Sequence, residues 1–468
     1  MEKVKIGIVG INSPNFYAKE YNVFEKSLEW LNSVKEKENF ETVIFDMIEN
    51  KDDGDRARKF FERENVDFLF LQNTAFSMGD FIYSFKNVEF PLGIWSVREP
   101  AVSTDIKLNS LVSANLYASI IKRNLKDSIK YKWFYGNSEE KIFQERFLVT
   151  LQALRGLKAL KTRKVGLIGK AAPSFFNLNV DIAEYAKNAG LKNYQHLSFD
   201  HVIKKSEKIL GKDIDKTVRS MNKNNNVNVS DENLYSSAKV YLALKETARE
   251  KELDSIGISC WPDFQDHFGI VPCVALSMLG DIDEIPVDCE GDFGGAVTMQ
   301  LLYSMTGNIP AVMDFAHLSL EDNLLLLWHC GIGTRSLSKD DKPEIINHPM
   351  MNRKLPKNKH MGLSYNFQFK KCDVTISRVT DFGKSLFAIS GKTAEGKDSG
   401  FVGTRGYIKS MKFRENKINV TDLLNTIMKE GIEHHLIVCE GSCDLGLIEL
   451  CHYQNLNIVE INKYTKYA

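Results

Sequence analysis

Short apolar runs that alternate with longer polar stretches constrain the fold of this chain more than any other feature. The first, "KVKIGIVGIN" at residues 3–12, is rich in β-branched residues and ends on a glycine and an asparagine, which is typical of a buried strand entering a loop. Comparable runs follow at 40–48, 66–73 and 90–97, separated by polar helical stretches. Strands that alternate with helices predict layers built on a parallel sheet.

The same pattern starts again at "RKVGLIG", after a long helical stretch that ends near Leu160. We therefore predict two Rossmann-like, doubly wound α/β domains at 1–161 and 162–335. From about Ser336 the runs become short, alternating and punctuated by glycine, which predicts a β-rich C-terminal domain at 336–468. Neither "GIVGIN" nor "GLIGKAAP" has the GxGxxG spacing, so a nicotinamide cofactor is not supported.

Charge and cysteine usage narrow the class of function. Lys+Arg and Asp+Glu both number 61, and this balance favours neither a nucleic-acid partner nor a membrane surface. No run approaches the roughly 18 apolar residues of a membrane span, and the first residues do not have the pattern of a signal peptide. The eight cysteines form no CxxC pair, which favours a reduced, cytoplasmic location. We expect an enzyme that acts on small molecules.

The stretch "VDCEGDFGG" places Glu290 and Asp292 among small and apolar residues. An apolar, glycine-rich segment follows and predicts a buried helix, and the next run, "PAVMDF", predicts a strand that carries Asp314. The spacing fits a helical crossover between parallel strands, which would bring Glu290 and Asp314 to the same sheet edge. Asp292 is expected to support the site or to cap the next helix.

Three histidines stand at strand ends in the same way. His329 closes the run "NLLLLWH", and His434 and His435 directly precede "LIV". Taken alone, a strand-end aspartate is more often a turn or cap residue, and a histidine pair is more often a polar strand entrance. Two acids with one or two imidazoles, however, suit a divalent ion such as Mn²⁺. Zn²⁺ would be expected to recruit cysteines, whose spacing does not favour it.

The block from Cys260 to Gly331 carries a specific resemblance. Its run "CWPDFQDHFGIVPCVALSMLGDIDEIPVDCEGDFGG" is similar to the core of the L-fucose isomerase-like family, which is related to the L-fucose and L-arabinose ketol isomerases. The similarity extends into "FVGTRGYIKS" and "EHHLIV". The resemblance implies two Rossmann-like domains followed by a β-rich domain. It also implies a homo-trimer or homo-hexamer with active sites at subunit interfaces.

The same resemblance implies roles for individual residues. Glu290 and Asp314 correspond to two metal-binding acids that also act as acid and base, and His435 corresponds to the carboxy-terminal metal ligand. His329 matches a histidine that binds metal in the arabinose branch but not in the fucose branch, so it is either a ligand or a substrate contact. Trp95 matches an aromatic that lies against the sugar from a neighbouring subunit, and a core tryptophan is an equally good interpretation.

Two further residues are candidates for binding the substrate, His434 and Arg98. Arg98 stands where related proteins tend to be uncharged; it either pairs with Glu99 or meets an anionic substituent of the substrate. We therefore expect a Mn²⁺-dependent aldose–ketose isomerase that works through an enediolate. The alternatives are an isomerase of an anionic sugar such as sulfoquinovose, or a non-catalytic sugar-binding or regulatory protein. A zinc hydrolase would need an HExxH motif or an equivalent, and the sequence has no recognisable one.

Overall fold

The computed structural model describes residues 3–102, 105–126, 128–356 and 359–467. The chain divides into two compact units, Met1–Lys158 and Ala159–Ala468, so the division falls close to the predicted boundary at 161 and 162. The predicted boundary at 335 and 336 stays a prediction. Within the described ranges, no helix is both long and apolar enough to cross a membrane.

The first unit is built on a five-stranded parallel sheet. Its strands are β1 (Val4–Ile11), β2 (Phe40–Ile48), β3 (Phe68–Asn73), β4 (Leu92–Ser96) and β5 (Tyr131–Tyr135). They lie in the order β2-β1-β3-β4-β5, one of the two common orders of doubly wound sheets. The helices are α1 (Val23–Val34), α2 (Lys51–Glu64), α3 (Asp80–Ser84), α4 (Ser110–Arg123) and α5 (Lys141–Thr162), the last of which continues into the second unit. Every residue of β3 is buried, as a parallel strand covered on both faces requires.

The second unit begins with a four-stranded parallel sheet. Its strands are β6 (Lys164–Ile168), β7 (Asn193–Leu197), β9 (Ser255–Ile258) and β10 (Val287–Asp288), and they lie in the order β10-β9-β6-β7. The helices of this part are α6 (Ile182–Ala189), α7 (Asp200–Ser206), α8 (Gly211–Asn224), α9 (Asp231–Lys251), α10 (Asp263–Phe268), α11 (Cys273–Asp283) and α12 (Phe293–Thr306). Helix α12 is the predicted buried helix, and nearly all of its residues are buried.

The rest of the second unit contains a closed, six-stranded antiparallel barrel. Its strands are β11 (Ala311–Ser319), β12 (Leu324–His329), β15 (Asp373–Thr380), β16 (Ser385–Ala394), β17 (Thr404–Phe413) and β19 (His435–Glu440). The ring runs β16-β15-β19-β11-β12-β17 and closes where β17 pairs with β16. Short strands extend it, namely β8 (Asn226–Asn228), β13 (Glu344–Ile346), β14 (Ser364–Gln368), β18 (Asn416–Lys417) and β20 (Asn457–Ile458). Helices α13 (Val420–Glu430) and α14 (Asp444–Gln454) flank β19 in sequence.

One expectation about this region is wrong. The strand that carries Asp314 does not follow a parallel crossover, because β11 pairs antiparallel with β12 and with β19 in the barrel. Both β11 and β12 thus belong with the barrel strands rather than with the parallel sheet of the predicted domain 162–335. Apolar periodicity identifies a strand but contains no information about its partner, and one partner of β11 lies far downstream at His435.

Burial of Asp281 on α11 gives a pH prediction. Its carboxylate accepts hydrogen bonds from the Thr334 hydroxyl and the Arg335 amide, yet burial outweighs them and raises its pKa to about 6. The folded state therefore holds a proton that the unfolded state has lost between pH 4 and 6, so this residue lowers the free energy of unfolding as pH rises through that window. An asparagine cannot titrate, so the free energy of unfolding of Asp281→Asn, measured by urea denaturation, should rise relative to that of the wild type by about 1–3 kcal/mol from pH 4.5 to pH 7.5. If the difference in free energy of unfolding between the two proteins were the same at both pH values, the raised pKa of Asp281 would be wrong.

Candidate metal and catalytic site

Glu290 is fixed in a strained turn between β10 and α12. It has a φ of 60° and is followed by Gly291 with a φ of 73°. The left-handed conformation costs a residue with a side chain about 1–2 kcal/mol, and such strain is concentrated at functional sites. A side chain at Gly291 could not fit, because its Cβ would lie 2.2 Å from the carbonyl oxygen of Lys170. The Ala172 amide donates to the Glu290 carbonyl over 2.9 Å, which fixes the turn from the other side.

The carboxylate of Glu290 faces two imidazoles. His434 Nε2 lies 3.1 Å from Glu290 Oε2, and His435 Nε2 lies 3.5 Å from the same oxygen. One ligand atom from each residue lies within 4.8 Å of the others, close enough for one ion to join them. Burial opposes ionisation of Glu290, but the hydrogen bond with His434, the close approach of His435 and the charges of His435 and His329 outweigh it and lower its pKa well below the usual range. Glu290 is therefore a carboxylate at neutral pH.

The ring of His435 is held so that one nitrogen is free. His435 is fully buried, and its Nδ1 lies 3.1 Å from both Asp292 Oδ2 and Asp288 Oδ1. Its Nε2, although buried, has no hydrogen-bond partner among the described residues. A ring whose Nδ1–H donates to a carboxylate presents the lone pair of Nε2, which is the usual arrangement of a metal-binding histidine. The orphaned Nε2 and the oxygen of Glu290 therefore fit a divalent cation.

Asp292 connects this site to the interior of the unit. Its Oδ1 accepts the Gly295 amide over 2.8 Å and caps α12, which confirms the predicted capping role. It also binds Arg378, whose Nη2 lies 2.9 Å from Asp292 Oδ1. Burial opposes ionisation of Asp292, but the charge of Arg378 and the hydrogen bond from His435 outweigh it and hold the pKa far below normal. Arg378 also donates to Glu433 over 3.3 Å, so one cation neutralises two buried acids.

Asp314 lies beside this group. It is directly opposite His435 in the β11–β19 ladder, where paired Cβ atoms are about 4.5–5.5 Å apart. Among the described residues, its carboxylate is not one of the atoms that cluster within 4.8 Å around Glu290. Instead the three-residue group contains His434, which the sequence suggested as a substrate contact. The role of Asp314 as ligand and acid–base stays a prediction.

His329 stands at the end of β12 within the same buried region. Its Nε2 lies 3.3 Å from Cys289 Sγ, its Nδ1 lies 3.5 Å from Cys330 Sγ, and its ring centre is 5.8 Å from that of His435. Burial lowers the pKa of His329, but contacts with Cys330 and the charge of Asp314 produce a net rise. Both predicted roles, metal ligand and substrate contact, remain open for this residue.

Trp95 is a core residue of the first unit. It is fully buried, its indole N–H donates to the Gly136 carbonyl over 2.9 Å, and its ring stacks on Phe143 at 4.1 Å. These contacts satisfy the indole within its own unit. A role against the sugar, expected from the resemblance, stays a prediction.

The alternative expectation for Arg98, a pair with Glu99, is wrong. Arg98 binds Glu140 instead, over 2.7 Å. The carboxylate of Glu99 accepts backbone amides at the start of α4, including that of Leu108, so its charge serves the turn there. Sequence neighbours in an extended segment point in opposite directions, which explains why adjacency did not produce a pair. A contact of Arg98 with substrate stays a prediction.

Sequence reasoning missed Asp288, Cys289, Arg378 and Glu433. Arg378 could have been recognised from the sequence, because it is a charged residue inside the apolar strand "VTISRV". A charge that is buried in this way needs a buried partner of opposite charge. Asp288 is fully buried, and burial together with the charge of Asp292 raises its pKa to about 6. Asp288 contacts the ring of His435 directly, and Arg378 acts on it through Asp292. Such contacts would have to be found by pairing distant segments.

We expect a divalent cation to stabilise the folded chain. Mn²⁺ at about 100 times its dissociation constant should add about 2.7 kcal/mol to the free energy of unfolding of the metal-free protein, because only the folded state brings the ligands together. His435→Asn should abolish this gain, and His452→Asn, which changes an exposed histidine on α14, should retain it. Thermal unfolding with and without Mn²⁺ measures both. Equal stabilisation of the two variants would exclude His435 as a ligand.

The geometry thus defines a partly buried carboxylate–imidazole cluster that could hold a divalent cation next to a second acid. No family model matches the chain. It is 29% identical over 442 residues to a sulfoquinovose isomerase of Priestia megaterium, covering 92% of this chain and 93% of the relative. Sulfoquinovose isomerases of Alkalicoccus urumqiensis (28% identity, 84% and 86% covered) and Clostridium sp. strain MSTE9 (22%, 96% and 97%) are also similar.

Among solved structures, a periplasmic solute-binding protein of Actinobacillus succinogenes with bound D-allose is similar at 10% identity. The match covers 61% of this chain and 77% of the solute-binding protein. Its TM-score of 0.18 is too low to support any argument. The curated relatives match nearly end to end and are isomerases by name, which supports an isomerase of carbohydrate metabolism. The resemblance to the L-fucose isomerase-like family stays a prediction.

Proposed function

We propose that the protein is a metal-dependent aldose–ketose isomerase whose substrate is a sulfosugar, sulfoquinovose or a close analogue. The observation that carries the proposal is the buried, unpartnered Nε2 of His435 facing the ionised carboxylate of Glu290. The names of the relatives favour the anionic sugar over the neutral sugar that we expected first. A non-catalytic binding protein would not require an ionised acid held in a strained turn beside two imidazoles.

The residues that would hold the cation are Glu290, His434 and His435, with Asp314 as the further ligand expected from the resemblance. Carboxylate oxygen and imidazole nitrogen suit Mn²⁺ and its neighbours in the first transition series. When bound, such a cation supplies Lewis-acid stabilisation of negative charge on the sugar oxygens. Asp292 and Asp288 keep the ring of His435 oriented towards this position.

The chain's own acids account for the proton movements. In ketol isomerisation a proton moves between C1 and C2 of the open-chain sugar while a hydroxyl proton moves between the two oxygens, through an enediolate. Glu290 and Asp314 form the proposed pair, one for the carbon-bound proton and the other for the hydroxyl proton. Glu290 is ionised at neutral pH because His434 and His435 stabilise its charge, so it is ready to accept a proton.

A cation stands next to this turn and could meet a sulfonate. Lys170 follows β6, its carbonyl oxygen packs against Gly291, and its side chain is exposed. Within the described part of the chain Lys170 has no ion pair, so its charge is available to a substrate. Hydrogen bonds to a charged group contribute about 1.5–3 kcal/mol.

The test compares sulfoquinovose with quinovose, the same sugar without the sulfonate, in the presence of Mn²⁺. We expect ketose formation with kcat/KM about 10- to 100-fold higher for sulfoquinovose, since loss of one charge-assisted contact corresponds to that range. Lys170→Met should lower kcat/KM for sulfoquinovose and leave that for quinovose unchanged. Lys187→Met, which removes an exposed cation on α6, is the matched control.

Each other outcome would contradict part of the proposal. Equal rates with the two sugars would reject the sulfosugar but retain the isomerase. Binding of either sugar without formation of ketose would reject the isomerase in favour of a binding protein. Full activity in metal-free protein, verified by metal analysis, would reject the dependence on a cation.

A further inference from the structure

A second set of ligand atoms also includes His435. One atom each from Cys289, His329 and His435 lie within 4.8 Å of one another, and all three side chains are buried. Cys289 Sγ is 3.3 Å from His329 Nε2. The group shares His435 with the Glu290–His434 set but has a thiol where the first set has a carboxylate.

The orientation of both imidazoles fits this second group. The Nδ1 of His435 lies against Asp292 and Asp288, so Nε2 is the nitrogen it can offer. The Nδ1 of His329 is 3.5 Å from Cys330 Sγ, which leaves Nε2 towards Cys289. Partners at Nδ1 are the usual means of directing Nε2 at a metal.

The donors select a softer ion than Mn²⁺. One thiolate and two imidazoles are ligands of Zn²⁺ in tetrahedral sites, at about 2.3 Å for sulfur and 2.0–2.1 Å for nitrogen. Those lengths place sulfur and nitrogen about 3.6 Å apart around a tetrahedral ion. The 3.3 Å between Cys289 Sγ and His329 Nε2 needs only a small adjustment to reach that distance.

We propose that Cys289, His329 and His435 form a binding site for Zn²⁺ or a similar thiophilic cation, and that occupation of this site excludes the cation held by Glu290. The exclusion follows because the lone pair of His435 Nε2 can bind one ion at a time. Binding releases the thiol proton of Cys289 to solvent and needs no oxidant. Inhibition of sugar isomerisation by Zn²⁺ would follow, and this consequence rests on the proposed function. The binding of Zn²⁺ itself does not.

A third cysteine–histidine group provides the internal control. Cys273, Cys330 and His348 also offer atoms within 4.8 Å of one another. The Nδ1 of His348, however, accepts the backbone amides of Met350 and Met351, over 3.2 and 3.1 Å. The ring proton must then reside on Nε2, which cannot bind a metal while it is protonated. This group should therefore not hold the ion.

The first experiment uses Co²⁺ as a spectroscopic substitute for Zn²⁺. The full-length, metal-free, reduced protein is titrated with Co²⁺, and the sulfur-to-cobalt charge-transfer band is recorded. We expect one equivalent to produce the band in the wild type and in Cys273→Ser, and Zn²⁺ to abolish it. Cys289→Ser should lack the band while its thermal unfolding shows a folded protein. No band in the wild type, or a band lost in Cys273→Ser and kept in Cys289→Ser, would overturn the proposal.

The second experiment measures turnover with Mn²⁺ present. Zn²⁺ should inhibit in competition with Mn²⁺, and Cys289→Ser should raise the inhibition constant for Zn²⁺ by at least about tenfold, each protein being compared with its own turnover on Mn²⁺ alone. Inhibition that is insensitive to Mn²⁺ or to Cys289→Ser would overturn the shared-ligand site. If no sugar is converted at all, the proposed function fails, and the cobalt band still decides whether the thiol site exists.

Discussion

Glu290→Gln is expected to lower kcat by about 10²- to 10⁴-fold, the usual contribution of a general acid–base group, and to weaken binding of the cation. The amide has nearly the same shape, so the turn at Glu290 should persist. It lacks the negative charge that His434 and His435 now stabilise, and it cannot accept a proton. Steady-state kinetics and analysis of bound metal in the purified variant provide the measurement.

Glu284→Gln is the matched control for this variant. Glu284 also has a left-handed φ, 58°, but it lies at the C-terminal end of α11, away from the two histidines. It is exposed, and its carboxylate accepts the Tyr303 hydroxyl over 2.6 Å. The same chemical change at this position should leave kcat and bound metal as in the wild type. Near wild-type kcat in Glu290→Gln would remove Glu290 from the acid–base pair.

The second large effect concerns stability. Arg378→Met should reduce the free energy of unfolding by about 3–5 kcal/mol, because it leaves the carboxylates of Asp292 and Glu433 buried without a cation. Both acids are at most 9% exposed, so water cannot replace the lost guanidinium. Since Asp292 also orients His435, the affinity for Mn²⁺ should fall in the same variant. Urea denaturation and metal titration measure the two effects.

An exposed pair of the same type serves as the control. Arg414 and Glu460 form an ion pair over 2.7 Å in which both side chains are about half exposed, and Arg414→Met should cost less than about 1 kcal/mol. If Arg378→Met does not fold, Arg378→Lys retains the charge without the paired donors and should be intermediate. A loss below 1 kcal/mol in Arg378→Met would show that the buried network contributes little.

The parts of the fold that depend on neighbouring residues were predictable from the sequence. The parallel strands of the first unit, the buried helix α12 and the cap formed by Asp292 follow from patterns that span fewer than about 20 residues. The proximity of Glu290 to the histidine pair was predictable only through the resemblance, since 144 residues separate Glu290 from His434. No local sequence pattern spans that separation, so none could have brought Glu290 and His434 together.

The remaining features depend on which strand pairs with which. The position of Asp314 follows from the pairing of β11 with β19, and that of Arg378 from the pairing of β15 with β19. A strand shows its own apolar face in sequence but not the identity of its neighbour. Hence the acid at 314 was placed on the wrong sheet, and the partner of Asp292 was not found.

The ring of barrel strands also sets the order in which the site can assemble during synthesis. Strand β19 lies between β11 and β15, and it is made after both. At about 5–20 residues per second, a ribosome needs roughly 7–30 s to proceed from Glu290 to His434. Within that interval, β11 and then β15 are synthesised, and each keeps an open edge, a template for intermolecular pairing, until β19 is made. A nascent chain that stalls in this interval exposes these edges and lacks both histidines, so a shortened product should be inactive and prone to aggregation.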